Sequence, residues 1–110
     1  MSNGAVIIIS VTTTLADRSD RDRLAELLTA SRVETLKEPG VVEYKITADF
    51  RDPRVLHSLE IYRDEAGLRA HAEAPHLRAV LAATSTMDIK MDATAWTGDT
   101  EPFDLSSFLV

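Results

Sequence analysis

The segment near the start of the chain places the strongest limit on the fold. From Ala5 to Thr13 nearly every residue is β-branched, and Ile7, Ile8 and Ile9 follow one another without alternation. A strand with one wet face alternates between apolar and polar residues, so this run predicts a strand that is covered on both faces. We therefore expect it in the middle of a sheet.

The segment from Val55 to Tyr62 predicts a second central strand. One face would carry Val55, His57, Leu59 and Ile61, and the other Leu56, Ser58, Glu60 and Tyr62. Both faces are mostly uncharged, which favours a central position for this strand as well.

The residues between these two strands predict a helix and an edge strand. Ser19 and Asp20 are good N-cap residues. Leucines then recur at helical spacing among charged residues until Pro39-Gly40 ends the helix, namely Leu24, Leu27, Leu28 and Leu36. The apolar side chains of Val42, Tyr44 and Ile46 alternate with polar ones, as in an edge strand, and the turn from Asp49 to Pro53 leads back into the sheet.

The second half of the chain predicts a broken helix followed by a fourth strand. Asp64 can cap a short helix that runs through Ala72, and Pro75 suits the first turn of the next segment because no N–H is needed there. Alternation then resumes over residues 87–96 and ends near Gly98. The order β-α-β-β-α-β is that of a ferredoxin-like α+β fold with an antiparallel sheet. We assign residues 1–98 to this domain and 99–110 to a C-terminal tail.

One face of the predicted sheet has no cover within the chain. Helices cover only one side of such a sheet, yet both central strands are uncharged on both sides. A second copy of the sheet, related by a two-fold axis, is the simplest cover, so we expect a homodimer. The tail is apolar at Phe103, Leu105, Phe108, Leu109 and Val110, and we expect it to dock on its own subunit or on the partner.

Composition excludes several classes of partner and cofactor. The formal net charge of -6 and the absence of any run of Lys or Arg argue against nucleic acids and anionic lipid surfaces. No segment has the length of a membrane span, and the apolar start lacks the basic residues of a signal peptide, so we expect a cytoplasmic protein. The chain has no cysteine, and it has no glycine-rich phosphate loop or flavin fingerprint.

Three motifs in order along the chain resemble the antibiotic-biosynthesis monooxygenase (ABM-like) family of dimeric α+β barrels. They are Glu38-Pro39-Gly40, Leu59-Glu60-Ile61-Tyr62, and the segment from His71 to His76. The similarity extends from about Ala5 to Trp96. It implies a cofactor-independent monooxygenase that oxidises a quinol, an anthrone or a polycyclic aromatic metabolite with dioxygen. In such chemistry a base removes a proton, the anion reduces oxygen, and the protein stabilises an oxyanion and excludes water.

Histidine is the natural base near neutral pH. If the face of His57 meets the helices, its imidazole lies in an apolar pocket and stays neutral, as a base requires. The resemblance implies site roles for His71 and His76 at the helix break, and for Glu60 and Tyr62 on the third strand. We take His57, His71 and Tyr62 as catalytic candidates. The substrate-binding candidates are Tyr44, Glu60, His76, Trp96 and Ser10.

The sequence departs from the family pattern at two positions. Several members carry an asparagine on the first strand, whereas the only asparagine here is Asn3, so Ser10 or a threonine of residues 12–14 would replace it. Tyr62 stands where relatives often have tryptophan. Both departures weaken the link to the haem-degrading members.

Two other functions remain open. An isomerase or lyase of the same fold would use the same base without oxygen, and a non-catalytic, stress-associated dimer would only bind a small molecule. We expect no metal site, because the sequence contains neither HExxH nor closely spaced histidines and carboxylates.

Overall fold

The computed structural model describes residues 6–98, 103–106 and 108, so the predicted docking of Leu109 and Val110 lies outside the described residues. Its elements are β1 (Ile7–Leu15), α1 (Arg18–Thr35), β2 (Val41–Ala48), β3 (Val55–Tyr62), α2 (Glu65–Ala72), α3 (Pro75–Ala83) and β4 (Ile89–Thr97). The strand order is β2-β3-β1-β4, and every neighbouring pair is antiparallel. The predicted ferredoxin-like α+β fold is confirmed, with β1 and β3 in the centre and β2 at an edge.

The strand register decides which face of the sheet meets the helices. Ile9 of β1 pairs with Glu60 of β3, and Ile7 pairs with Tyr62, so these side chains point to the same side. This inner face carries the core residues of β1. The opposite, open face includes Ile8, Ser10, His57, Leu59, Ile61 and Trp96.

The core consists of two clusters at opposite ends of the inner face. One joins Leu15, Leu24, Leu56 and Val80, and is covered by α1 and α3. The other contains the following buried residues: Ile7, Ile9, Val11, Val41, Tyr44, Tyr62, Leu68 and Ala95. Helix α2 covers this second cluster only in part, through Leu68, and the partly buried tail residues Phe103, Leu105 and Phe108 pack against it too.

The structure corrects two details of the predicted elements. Helix α1 begins at Arg18, and its N-cap is Asp17, whose side chain accepts a hydrogen bond from the backbone N–H of Asp20. The predicted caps, Ser19 and Asp20, therefore lie inside the first turn. The caps of the later helices agree with prediction, because Asp64 caps α2 and Pro75 opens α3.

The second correction concerns the apolar face of β2. A register shift between Val41 and Glu43 inserts one extra residue into this strand. Val41 and Tyr44 are therefore both buried, while Val42 is 47% exposed and does not share the face of Tyr44 as predicted. The bulge aims the Tyr44 ring into the second core cluster.

None of the helices among the described residues is both long enough and apolar enough to cross a membrane.

The tail is held to the sheet by a backbone hydrogen bond of 3.0 Å from Phe103 N–H to the carbonyl of Ala95. The guanidinium of Arg69 lies 4.8 Å from the centre of the Phe108 ring, a cation–π contact.

The tail contacts predict a loss of stability when their rings are removed. We expect Phe103→Ala combined with Phe108→Ala to lower the free energy of unfolding by about 3 kcal/mol, because two partly buried aromatic side chains leave the second core cluster. Thermal and urea melts measure this. Phe50→Ala is the matched control, since Phe50 is 91% exposed. An unchanged melt of the double variant would show that the tail does not stabilise the domain.

Candidate active site

A close backbone contact positions the candidate site. A Cβ atom added to Gly40 would lie 2.4 Å from the Cα of Gly67, and one added to Gly67 would lie 2.7 Å from the carbonyl oxygen of Gly40. No other residue type fits at either position without movement of the backbone. Arg63 secures the same turn: its N–H donates to the Gly40 carbonyl at 2.8 Å and its Nε–H to the Pro39 carbonyl at 2.8 Å.

This contact brings Glu38 to the break between α2 and α3. His71 lies in the last turn of α2, and His76 lies in the first turn of α3, just after Pro75 opens that helix. Oxygen Oε2 of Glu38 is 2.9 Å from Nδ1 of His71 and 2.7 Å from Nε2 of His76. His71 is buried, with 4% of its surface exposed, and His76 is half-buried.

The shared carboxylate fixes the orientation of both imidazoles. An ionised carboxylate only accepts hydrogen bonds, so His71 donates through Nδ1–H and His76 through Nε2–H. In a neutral His71 the other nitrogen, Nε2, then carries a lone pair that can accept a proton. A carboxylate that holds a histidine in one tautomer is a familiar arrangement for a general base.

A second polar group lies on the inner face of the sheet beside His71. The hydroxyl of Tyr62 donates to Oε1 of Glu60 at 2.6 Å, and Glu60 pairs across the sheet with Tyr44. The His71 ring is 5.4 Å from the ring of Tyr44 and 5.6 Å from that of Tyr62, measured between centroids. The buried imidazole is therefore in contact with two phenols, one of which is bonded to a carboxyl group.

Burial raises the pKa of three groups on β2 and β3, namely Glu60, Tyr62 and Tyr44. It raises the pKa of the Glu60 carboxyl, against the opposing effects of the Tyr62 hydrogen bond and of His71. Burial also raises the pKa of Tyr62 and of Tyr44 far above the usual range, and the charge of Glu60 adds to this. Both phenols stay protonated and can act as hydrogen-bond donors, while Glu60 binds a proton more readily than an exposed glutamate.

The structure divides the predicted site residues between the two faces of the sheet. His71, Tyr62, Tyr44 and Glu60 come together on the inner side, and His76 joins them through Glu38. His57, Ser10 and Trp96 lie on the open face, away from this group.

The condition for an apolar pocket around His57, that its face of β3 meets the helices, is not met. Its face of β3 does not meet the helices, and its side chain is 41% exposed. Nε2 of His57 lies 2.8 Å from Oδ1 of Asp49, and Nδ1 lies 3.3 Å from the Thr12 hydroxyl. The hydrogen bond from His57, together with backbone N–H groups of the following turn, lowers the pKa of Asp49 to about 2. These contacts tie the β2–β3 turn to β1.

Sequence reasoning missed Glu38 as a member of the site. It lies 33 residues before His71 and 38 before His76, so spacing along the chain gives no sign of the contact. The available signal was the Pro39-Gly40 pair directly after it, which marks a tight turn that can present the preceding side chain to a neighbouring helix.

A surface groove and two aromatic side chains of the tail border the site. A shallow surface groove, lined by residues 38–40, by α2 and by the start of α3, leads to Glu38 and His76. On the sheet side, Phe103 and Phe108 pack against the cluster that contains Tyr44 and Tyr62. Phe103 and Phe108 therefore border the two tyrosines on the sheet side, and the groove borders Glu38 and His76 on the helix side.

The fold and the buried histidine define a ferredoxin-like domain with a polar site between sheet and helices. This chain belongs to the antibiotic biosynthesis monooxygenase family, whose model matches residues 7–83. The resemblance noted in the motifs is thus confirmed. No curated protein sequence matches the chain significantly.

Solved structures show the same fold at low sequence identity. A conserved protein of unknown function from Bacteroides thetaiotaomicron is 17% identical, with a TM-score of 0.76 over 86% of this chain and 98% of its own. A conserved protein from Methanosarcina mazei is 22% identical, with a TM-score of 0.67 over 80% and 90%. SnoaB, a cofactor-independent oxygenase from Streptomyces nogalater, is 10% identical, with a TM-score of 0.70 over 84% and 92%. These likenesses establish the fold.

The raised pKa of Glu60 predicts a pH-dependent gain in stability on neutralising it. The folded-state pKa lies above the unfolded one, so the contribution of this carboxyl to stability is full below about pH 4 and is lost as pH rises through the folded value. We expect Glu60→Gln to melt at a higher temperature than the wild type at pH 8, with the gap closing toward pH 4. The exposed Glu26→Gln change serves as control. An equal gap at both pH values would contradict the burial of a charge at Glu60.

Proposed function

We propose that this protein is a cofactor-independent monooxygenase that oxidises a quinol, an anthrone or a related polycyclic phenol with dioxygen. One observation carries the proposal: a buried His71 whose Nδ1 is held by Glu38 and whose ring lies against Tyr44 and Tyr62. Family membership and the fold shared with a cofactor-independent oxygenase support it.

His71 is the base in this scheme. Its Nε2 takes a proton from the acidic carbon or hydroxyl of the substrate, and the imidazolium that forms is stabilised by the Glu38 carboxylate. For an anthrone, the carbanion then passes an electron to dioxygen, and the two radicals combine to a peroxide. Loss of water from the peroxide gives the ketone, so that CH₂ and O₂ become C=O and H₂O.

Tyr62, Tyr44 and Glu60 provide the polar contacts for the substrate. The phenols remain protonated because burial raises their pKa, so each can donate a hydrogen bond to a developing oxyanion. Glu60, which binds a proton readily, can accept the substrate hydroxyl proton or return one to the peroxide. The aromatic substrate takes the place of Phe103 and Phe108 against the second core cluster, so the tail moves aside on binding.

The test of this function is oxygen uptake. We expect the wild type to consume one O₂ per substrate oxidised, with chelator present, against a panel of anthrones, naphthols and hydroquinones in an oxygen electrode. His71→Ala should lower kcat about 10²- to 10⁴-fold, the usual effect of removing a general base. Glu38→Gln, which keeps the shape but not the charge, should lower kcat less.

The His57→Ala variant decides between two imidazoles. We expect its rate to equal that of the wild type, because His57 is half-exposed on the open face. Loss of turnover in this variant, with His71→Ala active, would move the base to the open face. Turnover without oxygen would indicate an isomerase or lyase, and ligand binding without turnover would indicate a binding protein.

We also propose that the active form is a homodimer joined through the open faces of two sheets. The register places Ile8 beside both Ile61 and Trp96, so an apolar patch lies at one end of that face, and Leu59 next to it is 38% exposed. A partner sheet would cover this patch.

Sedimentation velocity at micromolar concentration tests the dimer. We expect the wild type to sediment as a dimer and Leu59→Lys as a monomer, because a charge placed between two sheets has no partner there. Val33→Lys is the matched control, since Val33 is 59% exposed on α1. A monomeric wild type would refute the proposed assembly and leave the oxidation scheme to be judged by oxygen uptake alone.

A further inference from the structure

We propose that Glu38, His71 and His76 also bind a divalent transition-metal ion, with Zn²⁺ as the representative. One atom from each residue can serve as a ligand, and these atoms all lie within 4.8 Å of one another. Two imidazole nitrogens and a carboxylate oxygen form a donor set that suits Zn²⁺ and similar ions.

The distances from the carboxylate oxygen to the two imidazoles are somewhat shorter than those between ligands of one ion. Oxygen Oε2 of Glu38 is 2.9 Å from Nδ1 of His71 and 2.7 Å from Nε2 of His76. Donors that each bind a tetrahedral Zn²⁺ at about 2.1 Å lie about 3.4 Å from one another. The oxygen would therefore have to move about 0.5 Å farther from His71 and about 0.7 Å farther from His76 to admit the ion.

A second observation points to a ligand at the same place. Oxygen Oε1 of Glu38 is buried and accepts no hydrogen bond from any residue among those that the structure describes. A buried carboxylate oxygen without a partner is unfavourable. An ion bound between the imidazoles can reach both oxygens of the carboxylate and satisfy this one.

The surroundings give the ion a path and a favourable charge. His76 and Glu38 line the surface groove between the 38–40 turn and the helix break, together with Asp64 and Glu73. Arg63 lies at the same groove, but its Nε–H is engaged with the Pro39 carbonyl. Three protein ligands leave at least one coordination position for water or a substrate oxygen.

Metal and proton compete for the same atoms. Nδ1 of His71 donates a proton to Glu38 in the metal-free arrangement, and the ion replaces that proton. A neutral imidazole bound through Nδ1 carries its proton on Nε2, so His71 cannot act as a base while the ion is bound. This consequence rests on the proposed function: if His71 is the base of the oxidation, Zn²⁺ inhibits turnover and a chelator restores it.

Binding is tested directly, without any assay of turnover. Protein stripped with chelator is titrated with Co²⁺ while its visible d–d absorption is followed, and with Zn²⁺ by calorimetry. We expect one ion per chain and an absorption typical of nitrogen and oxygen ligands in four-fold coordination. Glu38→Gln and His76→Ala should each weaken binding at least tenfold, after a thermal melt shows that each variant is folded.

The chain offers a matched control in its other histidine–carboxylate pair. Asp49→Asn alters the contact between Asp49 and His57 on the open face, and it should leave the affinity for both ions unchanged. Absence of binding, or binding that Glu38→Gln and His76→Ala do not weaken, would overturn the proposed metal site. If Zn²⁺ binds as expected but oxygen uptake is unaffected, the metal site stands and His71 is not the base of the reaction.

Discussion

The candidate site depends on the contact between two glycine backbones. Gly40 and Gly67 approach so closely that a single added methyl group would separate the 38–40 turn from α2. Because Glu38 begins that turn, the position of the turn decides whether the carboxylate reaches the histidines of the helix break. The contact is between backbone atoms, so the position of the Glu38 carboxylate depends on residues 40 and 67 both being glycine.

The inner face of the sheet combines a hydrophobic core with groups that a core normally excludes. Tyr44 and Tyr62 are buried within a cluster of aliphatic residues, and Glu60 pairs with Tyr44 across the sheet while its carboxyl accepts a hydrogen bond from the Tyr62 hydroxyl. Burial raises the pKa of that carboxyl, so its charged form lowers the stability of the fold. The Phe103 and Phe108 rings pack against the cluster that contains the two tyrosines.

Local pattern was enough to predict the fold, whereas the site required contacts between distant segments. The uncharged runs of β1 and β3 correctly indicated central strands, and Asp64 and Pro75 marked the broken helix. The bulge in β2 was not visible, because Val42 is as apolar as its buried neighbour Val41. For His57 the pattern was undecided, since both faces of β3 lack charge apart from Glu60, and only the register shows that its face is open.

The Glu38 carboxylate explains why one arrangement supports two proposals. A single oxygen holds both imidazoles, so the site contains two hydrogen bonds whose protons an ion could replace, while the second oxygen has no partner among the described residues. With protons in place, His71 carries its proton on Nδ1 and is oriented as a base through Nε2; with a metal ion in place, Nδ1 is a ligand, the proton lies on Nε2 and the base is lost. The two states exclude each other because Nδ1 of His71 cannot hold a proton and the ion at once, and the proton displaced to Nε2 occupies the lone pair of the base. An oxidation that needs no cofactor would then proceed only in the metal-free protein, and the metal content of the solution would regulate it through the same three residues.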